Sequence, residues 1–277
     1  MALPRFSLER RLIPASLAVC LAIAAAPSLA QTQTVTEVQS RGQAIRALLI
    51  QPANPTGSVI LLAGGHGNLD ISRDGRLGWG AGNQLVRTRG AYARAGFATL
   101  LPDIAPDLKK PGGGGVERYR FSPPHGQDIG ALVRHMRGIK PPVVLVATSR
   151  GAVSAGNALA HASGPARPDA MVLTAAMLVP IGDRQPNFQM ASGGPARAQL
   201  PLLVVGHKKD ACKYTLAAAI DRFTAWHGGK VDVVVLDGPA GVGDPCEARS
   251  AHGFVGIEGR LVATITNWIK ARNLTGR

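Results

Sequence analysis

A serine near the middle of the chain has the surroundings that a nucleophile needs. The apolar segment 143–146 runs through Ala147 and Thr148 into Ser149, and helical periodicity begins after Gly151. A serine at a sharp turn from a strand into a helix exposes its hydroxyl, and small residues two positions away, Ala147 and Gly151, let the strand and the helix pass closely. The N–H groups at the start of such a helix stabilise an oxyanion. The pattern therefore predicts nucleophilic catalysis by Ser149, and the alternative is that Ser149 only caps the helix.

A carboxylate and an imidazole follow later parts of the same pattern. Asp210 comes soon after the apolar segment 202–205, and His252 lies in a glycine-flanked loop before the last predicted helix. If both reach Ser149, His252 can act as its general base and Asp210 can orient the imidazole. Asp183 is the alternative carboxylate. The simpler alternatives are that Asp210 caps a helix and that His252 is a histidine of a surface loop.

Short apolar segments alternate with segments of helical periodicity, which is typical of an α/β protein. Two segments in which polar and apolar residues alternate, 33–39 and 44–51, predict an antiparallel hairpin at an edge of the sheet. The other strands are continuously apolar, as in a parallel sheet that is buried on both faces. They are predicted at 59–63, 97–101, 143–146, 171–176, 202–205 and 231–236, and the helices at 82–95, 127–138, 152–161, 214–227 and 256–271. We therefore predict a mostly parallel sheet of about eight strands, flanked by helices.

The loops at the carboxyl ends of these strands should form the site, because ligands bind at that edge of a parallel sheet. Ser149, Asp210 and His252 all follow predicted strands, so the prediction brings them to one edge. A long glycine- and proline-rich loop, 104–125, should reach the same edge. Its basic side chains form either a rim that favours acidic substrates or a solvated surface. They are Lys109, Lys110, Arg118 and Arg120.

Residues 1–30 have the three-part layout of a secretory signal peptide. Early arginines precede an apolar stretch, 12–26, and Ser28-Leu29-Ala30 gives a cleavage pattern before Gln31. The stretch is short for a membrane span, which needs about 20 residues; an uncleaved anchor is the alternative. We therefore predict that residues 31–277 form a single mature domain, periplasmic or secreted, without stable membrane insertion.

The cysteines predict a disulfide between two loops of the site. Signal cleavage removes Cys20 and leaves Cys212 and Cys246. An even pair in an oxidising compartment favours a bridge, and two free thiols are the alternative. The bridge would close a loop of about 35 residues and join the loop of Asp210 to that of His252. No cysteine or histidine spacing matches a zinc pattern, so we expect no metal and no other cofactor.

The net charge of +14, from 31 basic and 17 acidic residues, raises the question of nucleic-acid binding. The basic residues are scattered, and aromatic residues make up 4% of the chain, too few for a base-stacking surface. An exported protein also does not meet cytoplasmic nucleic acid. We therefore expect no nucleic-acid partner, and the oligomeric state stays open.

The motifs resemble those of the α/β-hydrolase family over about residues 33–275. The segments that carry the resemblance are VILLAGGHG (59–67), GFATLLPD (96–103), ATSRG (147–151), LLVVGHKKD (202–210) and AHGF (251–254). In that family the triad runs serine, acid, histidine along the chain, and the resemblance carries it to Ser149, Asp210 and His252.

The resemblance also implies where an oxyanion would bind. Its donors would be the backbone N–H groups of Arg150 and of Gly65, or of His66 if the turn is shifted by one residue. The His66 side chain is expected to line the site. The family's common His-Gly pair is replaced here by Ala63-Gly64. Backbone donors need no particular side chain, so this turn can still serve.

The function that the resemblance implies is ester hydrolysis. Only about 22 residues separate the strands that end near 178 and begin near 201, so we expect no cap domain. Such an open site is similar to that of small secreted esterases and dienelactone-hydrolase-like members. We expect an exported serine hydrolase that cleaves small carboxylic esters through an acyl-enzyme. The alternatives are a peptidase or thioesterase using the same site, or a non-catalytic envelope-binding protein on the same fold.

Overall fold

An eight-stranded sheet runs through the centre of the molecule. The computed structural model describes residues 32–109, 116–182 and 185–274. Its strands are β1 (Gln33–Ser40), β2 (Gln43–Ile50), β3 (Gly57–Leu62), β4 (Phe97–Pro102), β5 (Val143–Thr148), β6 (Ala170–Thr174), β7 (Leu202–His207) and β8 (Asp232–Leu236). The spatial order is β1-β2-β4-β3-β5-β6-β7-β8. β1, β2 and β4 pair antiparallel, and all later neighbours pair parallel. The predicted hairpin and parallel sheet are confirmed.

The inner strands are apolar because both of their faces are covered. β3, β4, β5 and β7 are buried along their whole length. In β5, Leu145 packs into the apolar cluster on one face of the sheet and Val146 into the cluster on the other. β8 is one of the two edge strands and alternates, with Val233 and Val235 exposed. Burial of apolar surface on two faces therefore explains the continuous apolar segments.

Helices cover the two faces unequally. In the described ranges they are α1 (Gln84–Arg94), α2 (Val116–Tyr119), α3 (Pro123–Ile139), α4 (Gly151–His161), α5 (Phe188–Ala191), α6 (Ala218–His227) and α7 (Glu258–Ala271). Buried residues of α1 and α7 belong to one apolar cluster, and those of α3, α4 and α6 to the other. In α7, for example, Leu261, Ile265 and Ile269 recur at helical spacing and are buried. The predicted helices are thus confirmed, with shifted ends.

The predicted loop 104–125 is wrong in its second half. α2 interrupts it, and α3 begins at Pro123, four residues before the predicted start at 127. A proline fits the first turn of a helix, and the Ser122 hydroxyl accepts a hydrogen bond from a backbone N–H of that turn. Local capping therefore extends the helix into a segment whose composition resembles a loop.

The basic side chains of this segment do not share one environment. Lys109 pairs with Asp103 at 2.7 Å, Arg118 is exposed, and Arg120 is only 2% exposed. Lys110 lies outside the described residues. The sequence predicts either a cationic rim or a solvated surface for these side chains. Both alternatives are wrong for Arg120, because its side chain is buried in the interior.

The connection between β6 and β7 covers residues 175–201 and is somewhat longer than predicted, because β6 ends at Thr174 and not near 178. The helical elements among its described residues are α5, which has four residues, and a 3₁₀ turn at Pro195–Ala198. In residues 32–109, 116–182 and 185–274, none of the helices is both long and apolar enough for a membrane span. The described residues all belong to one compact unit, Gln31–Arg277. The predicted signal peptide, residues 1–30, lies outside them.

Candidate active site

Ser149 lies at a strained turn between β5 and α4. Its φ angle is +52°, a region that side-chain-bearing residues rarely adopt. The Ser149 N–H donates to the Thr174 carbonyl at 3.1 Å, and the Met177 N–H donates to the Ser149 carbonyl at 3.2 Å. The residues at and after the end of β6 therefore hold the turn from both sides. No described side chain caps α4, so the alternative in which Ser149 is only a helix cap is wrong.

Small residues surround this turn for a steric reason. A side chain at Gly151 would overlap the backbone carbonyl of Leu62 in β3, and one at Gly64 would come within 3.0 Å of the Ser149 Cβ. Ala147 in β5 is completely buried. The predicted close passage of strand and helix is thus observed, and it also brings the turn after β3 against the Ser149 turn.

His252 and Asp210 meet at the carboxyl ends of β7 and β8. The His252 Nδ1 lies 3.2 Å from the Asp210 Oδ2, and their side chains are 7% and 3% exposed. His252 is therefore not a histidine of the open surface. The predicted cap role of Asp210 is also wrong, because no described side chain caps α6, the helix that follows. The alternative carboxylate, Asp183, lies outside the described residues.

A third side chain, which sequence reasoning missed, joins this pair. The Thr215 Oγ1 donates to the Asp210 Oδ2 at 2.9 Å and lies 3.1 Å from the His252 Nδ1. Thr215 is buried and precedes α6, although the sequence predicts it inside a helix. A threonine five residues after an acid carries no signal of its own, so only the folded chain identifies it.

The Cys212–Cys246 disulfide is confirmed, and the alternative of two free thiols is wrong. The Cys212 N–H donates to the Asp210 Oδ1 at 2.9 Å. On the other side of the bridge, Cys246 precedes the 3₁₀ turn Ala251–Gly253 that carries His252. The bridge therefore ties the loop of the acid to the loop of the imidazole, as the sequence predicts.

Ser149 and His252 line the same cavity, which has a volume of about 270 Å³. The remaining lining residues come from three loops and from the adjoining ends of α1 and β5: Gly64, Gly65, Trp79, Gly80, Gly82, Asn83, Gln84, Thr148, Cys246, Glu247, Ala248 and Gly253. Among the described residues, no hydrogen bond joins the Ser149 hydroxyl to the His252 imidazole. Such bonds often form only once substrate is bound.

The turn after β3 differs in one respect from its prediction. Gly65 lines the cavity with a φ angle of +57°, but His66 does not line it. The His66 ring packs on Trp79 instead, with 3.7 Å between ring centroids. Burial lowers the pKa of His66, and the Arg120 cation lowers it further. His66 therefore supports the aromatic wall of the cavity from behind.

The comparisons with known proteins agree on the architecture. No family model and no curated protein sequence matches the chain. A dienelactone hydrolase from Anabaena variabilis has a similar structure, with a TM-score of 0.58 and 14% identity over 87% of this chain and 98% of that one. An alpha-beta serine hydrolase homologue from Coxiella burnetii has a TM-score of 0.56 and 14% identity over 85% and 96% of the two chains.

A third similar structure is an esterase from Pyrococcus furiosus, with a TM-score of 0.57 and 11% identity over 87% of this chain and 93% of that one. Together with the strand order and the turn at Ser149, these structures decide the fold. The chain has the α/β-hydrolase fold. The predicted resemblance is confirmed at this level, since identities this low show shared architecture alone.

Within the α/β-hydrolase fold, the predicted residues occupy one edge of the sheet. Ser149 follows the central strand β5, Asp210 follows β7 and His252 follows β8. The described residues contain no cluster of three or more side chains suited to a metal ion. Trp79 is the main lining residue that the sequence does not predict. It lies in a loop without a motif, so the sequence carries no signal for it, and its 39% exposure marks it only in the folded chain.

Proposed function

We propose that this protein is an exported serine hydrolase that cleaves carboxylic esters of small molecules through an acyl-enzyme. One observation carries the proposal: a serine in a strained turn and a histidine hydrogen-bonded to a buried aspartate line the same cavity. A hydroxyl, an imidazole and a carboxylate in this arrangement are the parts of nucleophilic acyl transfer.

In the first step the Ser149 Oγ attacks the ester carbonyl carbon, and the His252 Nε2 takes its proton. Asp210 and Thr215 engage the Nδ1 of the ring, so Nε2 is the nitrogen left for the serine. Asp210 fixes the tautomer and stabilises the imidazolium. The N–H groups of Arg150 and Gly65 would bind the oxyanion, and Gly65 is preferred to His66 because it lines the cavity.

Collapse of the tetrahedral intermediate breaks the ester bond, and His252 protonates the leaving alcohol. Water then enters, His252 takes one of its protons, and the hydroxide attacks the acyl carbonyl on Ser149. The second intermediate releases the carboxylic acid and returns the proton to the serine oxygen. Both halves use the same oxyanion donors, so no further group is required.

The cavity favours a small substrate with an apolar portion. Its volume of about 270 Å³ suits a short ester, and Trp79 provides an aromatic wall beside the glycine-rich turn. Two of the similar structures are an esterase and a dienelactone hydrolase. A thioester or a small amide would fit the same space, so a peptidase or thioesterase is the alternative within the class.

Export is part of the proposal. A disulfide between Cys212 and Cys246 is typical of an oxidising compartment, which agrees with the predicted signal peptide at residues 1–30. Expression of the full chain in a bacterium, followed by fractionation and N-terminal sequencing, tests this directly. We expect a periplasmic or secreted protein that begins at Gln31. Retention of residues 1–30 on a membrane would contradict it.

The activity is tested with matched panels of short-chain esters, thioesters and peptide amides, and with a fluorophosphonate that labels activated serines. We expect hydrolysis of the esters and labelling of Ser149, with both lost in Ser149→Ala. Faster turnover of the thioesters or of the amides would indicate a thioesterase or a peptidase instead. An unlabelled Ser149 without turnover would favour a non-catalytic binding protein on this fold.

A further inference from the structure

Arg120 is an unusual side chain because it is a buried cation with no acidic partner in the described part of the chain. It is 2% exposed, and among the described residues no carboxylate forms an ion pair with it. Burial lowers its pKa, yet an arginine stays charged at neutral pH. Removing a guanidinium from water is expensive unless it is hydrogen-bonded. The contacts of Arg120 therefore indicate what the fold uses it for.

The guanidinium bonds to the turn after β3, residues 63–67, which we call the glycine turn. Its Nη2 donates to the carbonyls of Ala63 and Gly65, both at 3.1 Å. Its Nη1 donates to the Ser154 Oγ at 2.5 Å, and Ser154 lies in the first turns of α4. One planar group thus ties the glycine turn to the helix that follows Ser149.

The glycine turn is shaped around this anchor. A side chain at Gly67 would overlap the Arg120 guanidinium and come within 2.7 Å of the Tyr119 hydroxyl. That hydroxyl donates to the His66 carbonyl at 3.1 Å. Two adjacent residues, Tyr119 and Arg120, therefore hold three carbonyls of one short turn, and glycine is required where they meet it.

We propose that Arg120 is a positioning residue that holds the oxyanion donor of the glycine turn in register with the Ser149 turn. This inference rests on the proposed function. Arg120 does not line the cavity that contains Ser149 and His252, so it acts through the backbone and not on the substrate. The peptide unit of the Gly65 N–H lies between the two units whose carbonyls Arg120 binds. Fixing the outer units fixes the orientation of the middle one.

The charge of Arg120 adds to its geometry. A cation bound to the carbonyls of Ala63 and Gly65 contributes positive potential beside the position where negative charge develops in the transition state. A lysine would keep the charge without the planar fork that binds several acceptors at once. Arg120→Lys should therefore retain part of the effect, and Arg120→Met should retain none.

The experiment compares Arg120→Met and Arg120→Lys with Arg137→Met. Arg137 is a matched control because its guanidinium also bonds to main-chain carbonyls, those of Pro165 and Arg167. It contacts Asp169, which binds the N–H of Val143 at the amino end of β5, away from Ser149. The readouts are kcat, KM, the inhibition constant of a trifluoromethyl ketone that forms an oxyanion, and the melting temperature.

We expect Arg120→Met to lower kcat about 100-fold with little change in KM, because one oxyanion donor is worth about that much. The ketone should bind weaker by a similar factor, and Arg120→Lys should recover part of both. Arg137→Met should lower only the melting temperature. A folded Arg120→Met with normal kcat and normal ketone affinity would overturn the inference.

Two further measurements keep the outcomes distinct. If Arg120→Met does not fold, Arg120→Lys and Ser154→Ala replace it. Normal kcat and normal ketone affinity in both variants would overturn the inference. A parallel loss of kcat and ketone affinity in either variant would support it. If the wild-type chain has no Ser149-dependent hydrolysis, the proposed function fails and the inference fails with it. If the wild type hydrolyses esters and the Arg120 variants do so equally well, the inference about Arg120 is wrong and the proposed function stands.

Discussion

The two sides of the site are held by different means. On the nucleophile side, backbone hydrogen bonds and the buried Arg120 position the Ser149 turn and the glycine turn, and glycines allow the two turns to pack closely. On the base side, Asp210, Thr215 and His252 are positioned by side-chain hydrogen bonds and by a disulfide between their loops.

The position of each side in the sheet accounts for the difference. β5, which leads to Ser149, has a parallel strand on both sides, so its end is fixed by its neighbours without a covalent restraint. β8, which leads toward His252, lies at an edge of the sheet, and two of its valines are exposed. A loop that leaves an edge strand has fewer neighbours to define it. The covalent bridge restricts it where packing does not.

The largest expected effect tests whether the two sides act as one unit. Ser149→Ala and His252→Ala should each lower turnover about 10⁴-fold or more, because neither group works without the other. The double variant should be no slower than either single variant. Ser163→Ala, an exposed serine whose side chain caps nothing, is the control for the loss of a hydroxyl. Additive losses would mean that the two sides contribute separately.

Removing the bridge should loosen the base side. The chain-entropy model gives about 4 kcal/mol for a loop of 34 residues, so Cys212→Ser with Cys246→Ser should lower the free energy of unfolding by about that amount. Turnover should fall as well, since Asp210 and His252 lose their common restraint. Urea denaturation and ester hydrolysis measure the two effects. A reductant should affect the wild type and leave the double variant unchanged.

The nucleophile side should instead be sensitive to one added methyl group. Gly151→Ala forces its Cβ against the Leu62 backbone and should lower the free energy of unfolding by about 3 kcal/mol. Gly138→Ala, in α3 with open space around it, is the matched control and should raise it by about 0.5 kcal/mol. Equal effects in chemical denaturation would remove the steric argument.

Acid should lower the free energy of unfolding through a buried histidine, His125, near the nucleophile side. Burial, together with the Arg120 cation, lowers the pKa of His125 to about 3, whereas an unfolded chain binds this proton near about pH 6.5. The contribution of His125 to the free energy of unfolding is therefore fully present above about pH 6.5. It falls by about 1.4 kcal/mol per pH unit as the pH drops toward 3. Relative to His125→Gln, the wild type should lose about 2 kcal/mol between pH 7 and pH 5. Parallel pH profiles would contradict this.

The smallest expected effect concerns the threonine of the base side. Thr215→Val removes one hydrogen bond to Asp210 and should lower kcat about fivefold, which corresponds to about 1 kcal/mol. Thr215→Ser keeps the hydroxyl and should restore the rate. Measured kcat values and melting temperatures separate positioning from stability. If valine and serine behave alike, the hydroxyl has no part in holding the pair.

The sequence predicts the nucleophile side better than the base side because its signals are local. A strand, a serine and a helix with small residues between them must form a close turn, and the contact of Gly151 with Leu62 follows from that passage. Thr215 and Trp79 could not be predicted, since their importance depends on loops that are distant along the chain. The burial of Arg120 is not predicted either, because a basic residue in a glycine-rich segment resembles a solvated one.

The sequence by itself determined the order of the elements, the parallel sheet and the edge to which Ser149, Asp210 and His252 come. Periodicity and burial are local consequences of side-chain chemistry, and parallel strands end at a common edge. Only the tertiary structure decided that Thr215 joins the pair, that Trp79 and not His66 lines the cavity, and that Arg120 anchors the glycine turn. Those are contacts between segments far apart in the chain, and their geometry exists only once the sheet has brought the loops together.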